Sequence, residues 1–141
     1  MTGSYSARGA WRTHRCCWRC FDEAVAWLVA RGQTGQWGDQ PFSQRPESLA
    51  RVQALCSAGG LRIAERDGQP VGALVLGRAP HYAPPADRPE SYIELLLTSR
   101  RHAGQGIGAA LVKVAADETR ASGLEMLRVD CWASAPTLVA W

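Results

Sequence analysis

Apolar and polar positions alternate with two different periods along this chain, and the changes between them mark out the elements. From Phe21 the period is helical: Phe21, Val25, Leu28 and Val29 share one face, and Gly32 stops the run. Asp22 and Glu23 suit the positive end of a helix starting there. Pro46 opens a second helix with Leu49, Val52, Leu55 and Cys56 on one side, closed by Gly59-Gly60. The period then drops to two. Residues 61–66 and 70–77 read as the arms of a hairpin turned by Asp67-Gly68. After the proline-rich loop RAPHYAPPADRP, SYIELLLT (91–98) is nearly all apolar and so reads as a central strand. A helical face of Ile107, Leu111, Val114 and Ala115 follows, with Lys113 and Asp117 as an outward pair four residues apart. Gly123 ends it, LEMLRVDCW (124–132) is a fourth strand, and SAPTLVAW begins a last helix. Residues 1–20 show no regular pattern. The order α-α-β-β-β-α-β-α implies a mixed sheet of the α/β (α+β) kind in one domain over 21–141, preceded by an atypical segment.

Between the central strand and the third helix lies TSRRHAGQGIGAAL (98–111), with glycines at 104, 106 and 108. A helix start carries unpaired N–H groups and partial positive charge, and bare glycine backbone lets an anion come close to them. The stretch therefore reads as an anion cradle. It is not a P-loop, because the loop has no lysine. It is not the dinucleotide fingerprint, because its third glycine comes one residue early. The bland alternative, a turn that only packs helix on sheet, needs fewer glycines than are present.

With that stretch in view, ELLLTSRRHAGQGIGAALV resembles the acetyl-CoA-binding motif of the GCN5-related N-acetyltransferases (GNAT), an apolar strand followed by [Gln/Arg]-x-x-Gly-x-[Gly/Ala] and a helix. The element order is similar from the first helix to the last strand. The resemblance implies a GNAT-like fold and an enzyme that transfers acetyl from acetyl-CoA to a primary amine by direct transfer in a ternary complex. It implies that Leu96, Leu97 and Thr98 pair with the pantetheine arm. The loop residues Arg101, Ala103, Gly104, Gln105, Gly106, Ile107, Gly108 and Ala109 would hold the pyrophosphate. Two registers satisfy the motif: Arg101-x-x-Gly104-x-Gly106 and Ala103-x-x-Gly106-x-Gly108. The second keeps Leu111 on the helix face where the family has an apolar residue. Arg100, Arg101 and His102 add charge near the phosphates. The resemblance also points to a carboxylate on the strand before the loop as base. Glu94 is the only acid in YIELLLT, and Tyr92, two residues earlier, is a secondary candidate.

The motif's usual acid is a tyrosine on the last helix, and by register it would follow Trp141. The initial strand of the family is also not evident in residues 1–20. The chain thus reads as truncated at its C-terminus. A second reading stands beside the enzyme: a catalytically deficient acyl-CoA-binding or interaction module, told apart by turnover. An unrelated phosphate-binding α/β domain is the third, and it would bind nucleotides instead. A sheet that lacks its last strands leaves an edge open to a second copy or to a completing chain.

Composition changes this picture little. The net charge of +3 gives no case for nucleic acid or a membrane surface. Lys113 is the lone lysine among 16 basic residues, so single arginines carry little information. No apolar run nears the ~20 residues that span a bilayer. Arg8, Arg12, Arg15 and Arg19 before AVAWLVA superficially resemble a targeting segment, but Asp22 and Glu23 interrupt it. Five cysteines without a regular framework fit reduced thiols in the cytoplasm. His14, Cys16, Cys17 and Cys20 crowd too closely for a structural zinc site, so no metal is expected. Cys131 reads as a core thiol. Trp37, His81 and Tyr82 could line an acceptor pocket, a small-molecule or peptide amine being the expected acceptor.

Overall fold

The computed structural model describes residues 4–6, 10–32 and 38–131. In chain order the elements are β1 (Ser4–Ser6), α1 (Ala10–Val29), α2 (Pro46–Ser57), β2 (Leu61–Arg66), β3 (Gln69–Gly77), β4 (Glu90–Thr98), α3 (Ile107–Ala121) and β5 (Met126–Val129). Single 3-10 turns sit at Phe42–Gln44 and Arg100–His102. The strands form one sheet in the order β1-β2-β3-β4-β5, with only β4 and β5 parallel. The β4–α3–β5 crossover supplies that parallel pair, and α3 covers one face of the sheet while α1 and α2 cover the other.

Most of the reading from the pattern holds. The β2–β3 hairpin turns at Asp67 (φ 52°) and Gly68 (φ 74°), the two positive angles that a twisted two-residue hairpin requires. On α3, Leu111 and Ala115 are fully buried with Ile107 packed beside them, although Val112 rather than Val114 completes the face. Gly72 on β3 admits this helix closely: a Cβ there would meet Ile107 Cγ2 at 2.9 Å. The opposite core joins Cys20 and Phe21 of α1 and Val52 of α2 to Ile63, Ala73, Val75, Leu95 and Leu97 of the sheet.

Four readings need correction. A strand does precede the first helix: Ser4, Tyr5 and Ser6 pair with Glu65, Ala64 and Ile63. Its polar residues gain a strand from the edge of β2, not from their own pattern. Helix α1 starts at Ala10, not Phe21, because residues 10–20 contain no glycine or proline to break it. Asp22 and Glu23 thus lie in its middle, where they serve neighbouring loops. Val29, placed on the buried face, is 40% exposed. Finally, β5 ends at Val129, so Cys131 is exposed beyond it and is not a core thiol. The last helix expected at SAPTLVAW and the Trp37 position lie outside the described residues.

Candidate functional site

Two neighbouring features at the C-terminal end of β4 could serve chemistry. The first is the glycine turn. Gly104 (φ 77°) and Gly106 (φ 76°) adopt the left-handed conformation, and Gly106 is the N-cap of α3. No side chain caps this helix, and its first bond runs from the Ala110 N–H to the Gly106 carbonyl. The preceding amides, of Ile107, Gly108 and Ala109, are thus the open donors of a helix start. Gly108 lies inside the helix without a positive φ, so its bareness serves access and not backbone shape.

The rest of the loop is anchored from α1. Glu23 Oε2 accepts from the Arg100 N–H at 3.2 Å and from the Ser99 hydroxyl at 3.4 Å, while its Oε1 lies 3.5 Å from Arg101 Nε. The Ser99 N–H in turn donates to the Val71 carbonyl at 2.8 Å. Arg100 stacks over Trp27, 4.3 Å from the ring centre, and Arg31 stacks on the same ring at 4.0 Å. Arg100 Nε and His102 Nδ1 are buried without a hydrogen-bond partner. Arg101 is largely exposed.

The second feature is a cleft between β4 and α2. Strand β5 pairs with β4 only from Glu90↔Met126 to Ile93↔Val129. Past Ile93, the edge of β4 through Leu96, Leu97 and Thr98 has no strand neighbour on that side among the described residues. An extended ligand arm could pair with that free backbone. The parting coincides with a bulge. Leu76 opposes Ile93 and Val75 opposes Leu95, which leaves Glu94 as the extra residue. Ile93 and Leu96 pack on the α3 side, Leu95 and Leu97 on the other. Tyr92 and Glu94, two residues apart, both reach the cleft, and the bulge turns Leu95 to the α2 side beside them.

That open cleft is lined by Arg51 and Leu55 of α2, Arg78, Pro80 and Tyr82 after β3, Tyr92 and Glu94 of β4, and Asp130. Glu94 is exposed, and its Oε1 accepts from the Arg78 N–H at 2.8 Å. Gly77 makes room for it: a Cβ there would fall 1.8 Å from that oxygen. Asp130 receives two phenols, Tyr92 at 3.0 Å and Tyr82 at 3.1 Å. Burial, reinforced by the hydrogen bond to Asp130 and its charge, pushes Tyr92 up to about 12. The same causes raise Tyr82, which His81 meets edge-on at 5.6 Å. Below, Arg128 holds Glu90 and donates to the Pro84 carbonyl at 2.8 Å, fixing the proline-rich loop over the cleft.

Glu94 and Tyr92 thus meet in one cleft, while the glycine-loop residues form a separate cradle at the other end of the free β4 edge. Pattern reading missed Asp130, Arg51 and Arg78. Asp130 had one usable signal, its place just past a strand end beside the central strand, where ligands gather in open α/β sheets. The two arginines had none.

A family model described as "Acetyltransferase (GNAT) family" matches residues 13–138. No curated protein matches. Among solved structures, PaiA N-acetyltransferase from Thermoplasma acidophilum in complex with coenzyme A aligns with a TM-score of 0.75 at 11% identity, over 99% of this chain and 86% of that one. A GNAT acetyltransferase from Listeria monocytogenes aligns with a TM-score of 0.71 at 18% identity, over 98% and 81%. An aminoglycoside acetyltransferase from an uncultured soil metagenomic sample, in complex with sisomicin, aligns with a TM-score of 0.58 at 16% identity, over 98% and 83%.

Proposed function

The chain belongs to the GNAT acetyltransferase family, and from that premise we propose that it acetylates a primary amine on a small molecule by direct transfer in a ternary complex. Acetyl-CoA is the donor, and it supplies an acetyl group on a thioester that a neutral amine can attack while the thiol departs. The open amides at Ile107, Gly108 and Ala109 support the register Ala103-x-x-Gly106-x-Gly108 for its pyrophosphate. The free edge of β4 at Leu96, Leu97 and Thr98 suits its pantetheine arm. Gly104, Gln105 and Arg101 border the same cradle.

Glu94 is the proposed base. One of its oxygens is held by the Arg78 amide, and the side chain is exposed in the cleft, ready to take a proton from an incoming ammonium. Tyr92 has a different task. Its hydroxyl proton is given to Asp130 and stays bound far above neutral pH, so it orients the Asp130 carboxylate instead of acting as a base. Within the described residues no helix is long and apolar enough to cross a membrane. A cytoplasmic setting, where acetyl-CoA is available, completes the reading.

The observation that carries it is the alignment of three features along one strand: base, free edge and cradle. The test is thermal unfolding of the 141-residue chain with acetyl-CoA, ATP or NAD, followed by turnover with an amine panel. Ligand at about 100 times its Kd should stabilise by roughly 2.7 kcal/mol, a rise of several degrees. A shift with acetyl-CoA alone plus turnover supports the enzyme. A shift without turnover favours the acyl-CoA-binding module, and a shift with ATP or NAD but not acetyl-CoA would overturn both.

A further inference from the structure

The cleft holds two arginines beside its two carboxylates. Arg51, one helical turn before Leu55 on α2, and Arg78, at the end of β3, both line it. Neither guanidinium has a hydrogen bond or an ion pair among the described residues, although two carboxylates line the same cleft. Glu94 is occupied by the backbone N–H of Arg78, and Asp130 by the hydroxyls of Tyr82 and Tyr92. Elsewhere, Arg62, Arg101, Arg120 and Arg128 each meet a carboxylate. Arg51 sits near enough to Tyr82 for its charge to act on that phenol, which places it within reach of the cleft's interior.

Two arginines without a carboxylate partner, lining the same cleft as an exposed carboxylate, define a charge pattern. The amine end of an acceptor belongs at Glu94, and a negative end belongs at the arginines. A guanidinium fork matches a carboxylate with two parallel N–H···O bonds. A polycationic acceptor would instead bring like charges against Arg51 and Arg78.

We propose that the acceptor is an α-amino acid or a comparably short amino carboxylate, its carboxylate bound by Arg51 and Arg78 while its amine faces Glu94. This rests on the acetyl-transfer reading above. In the step itself the amine nitrogen, once its ammonium proton has passed to Glu94, bonds to the acetyl carbon. The carbon–sulfur bond of acetyl-CoA breaks, and CoA leaves as the thiol after taking up a proton. The product is an N-acetyl amino acid, still anionic.

The experiment compares free acids with their own amides. The twenty common α-amino acids, the corresponding C-terminal amides, spermidine and kanamycin are each offered with acetyl-CoA, and CoA release and product mass are followed. The expected result is at least one amino acid acetylated with a kcat/KM about tenfold or more above that of its amide. Arg51→Gln and Arg78→Gln should each raise KM for that amino acid by about ten- to hundredfold, with a several-fold smaller effect on the amide and an unchanged melting midpoint. Preference for amides, spermidine or kanamycin would overturn the proposal, as would arginine substitutions that weaken acid and amide alike. Stabilisation by acetyl-CoA with none of the twenty acids acetylated would also overturn it, while leaving donor binding intact. A chain that acetyl-CoA does not stabilise fails at the earlier reading.

Discussion

Three residues decide what the cleft can do, and each has a sharp consequence. Replacing Glu94 by Gln keeps the shape and the acceptor oxygen for the Arg78 amide but removes the proton site. Steady-state kinetics should show kcat lower by roughly 10²- to 10⁴-fold, with KM for acetyl-CoA nearly unchanged. Gly77→Ala attacks the same carboxylate indirectly, because its Cβ would overlap Glu94 Oε1. It should lower kcat in the same direction while the chain remains folded. Tyr92 makes a prediction about stability. Its folded pKa lies above the ordinary value near 10, at about 12. The folded form therefore holds a proton that the unfolded chain loses first. Its stabilising effect is complete below pH 10 and is lost as pH rises through 12. Denaturant unfolding between pH 9 and 12 should show a steeper decline in the parent than in Tyr92→Phe.

At the scale of elements, the turn between β4 and α3 depends on backbone shape. Gly106→Ala forces a Cβ into the left-handed region, costing about 1–2 kcal/mol. With no neighbour within 4 Å of that Cβ, the cost should come from strain and from crowding of the ligand. The measurement is KM for acetyl-CoA, expected to rise more than kcat falls. This turn was legible in the sequence because glycine at a strand-to-helix junction has few other uses. The β2–β3 hairpin was legible through Asp67-Gly68, and α3 through the spacing of Ile107, Leu111 and Ala115. Other elements were not. Ser4–Ser6 becomes a strand only because β2 offers an edge. The first half of α1 sets Arg12, Arg15 and Arg19 among tryptophans and cysteines, with none of the Leu, Ile or Val residues that announce the second half. The bulge at Glu94 follows from how Val75 and Leu76 meet their partners across the sheet, which no local pattern encodes. Glu94 was found because it is a lone acid in an apolar strand; Asp130 was hidden because its role depends on Tyr82 and Tyr92 arriving from two other segments.

Among the described residues, one sheet separates two cores, one on each face. Leu111 and Ala115 of α3 anchor one side, and Phe21 and Val52 anchor the other. Leu111→Ala should destabilise the chain by roughly 2–5 kcal/mol, read from denaturant unfolding, and acetyl-CoA should recover part of that loss if α3 forms the cradle.

The adjacent acids Asp22 and Glu23 of α1 point to a different property. Asp22 takes the hydroxyl and the N–H of Ser43, at 2.5 and 3.1 Å, on the approach to α2, one wall of the cleft. Glu23 takes Ser99 and Arg100 at the entrance to the glycine turn. A single stretch of helix thus grips both the approach to the cleft wall and the entrance to the glycine turn, like a crossbar between two doors. Were the bar to tilt as one ligand binds, the other would be affected as well, and such coupling is thermodynamically mutual. Acceptor and donor should sense each other's arrival, and cutting one grip, with Asp22→Ala or Glu23→Ala, should bring the acceptor's Kd to the same value with and without CoA.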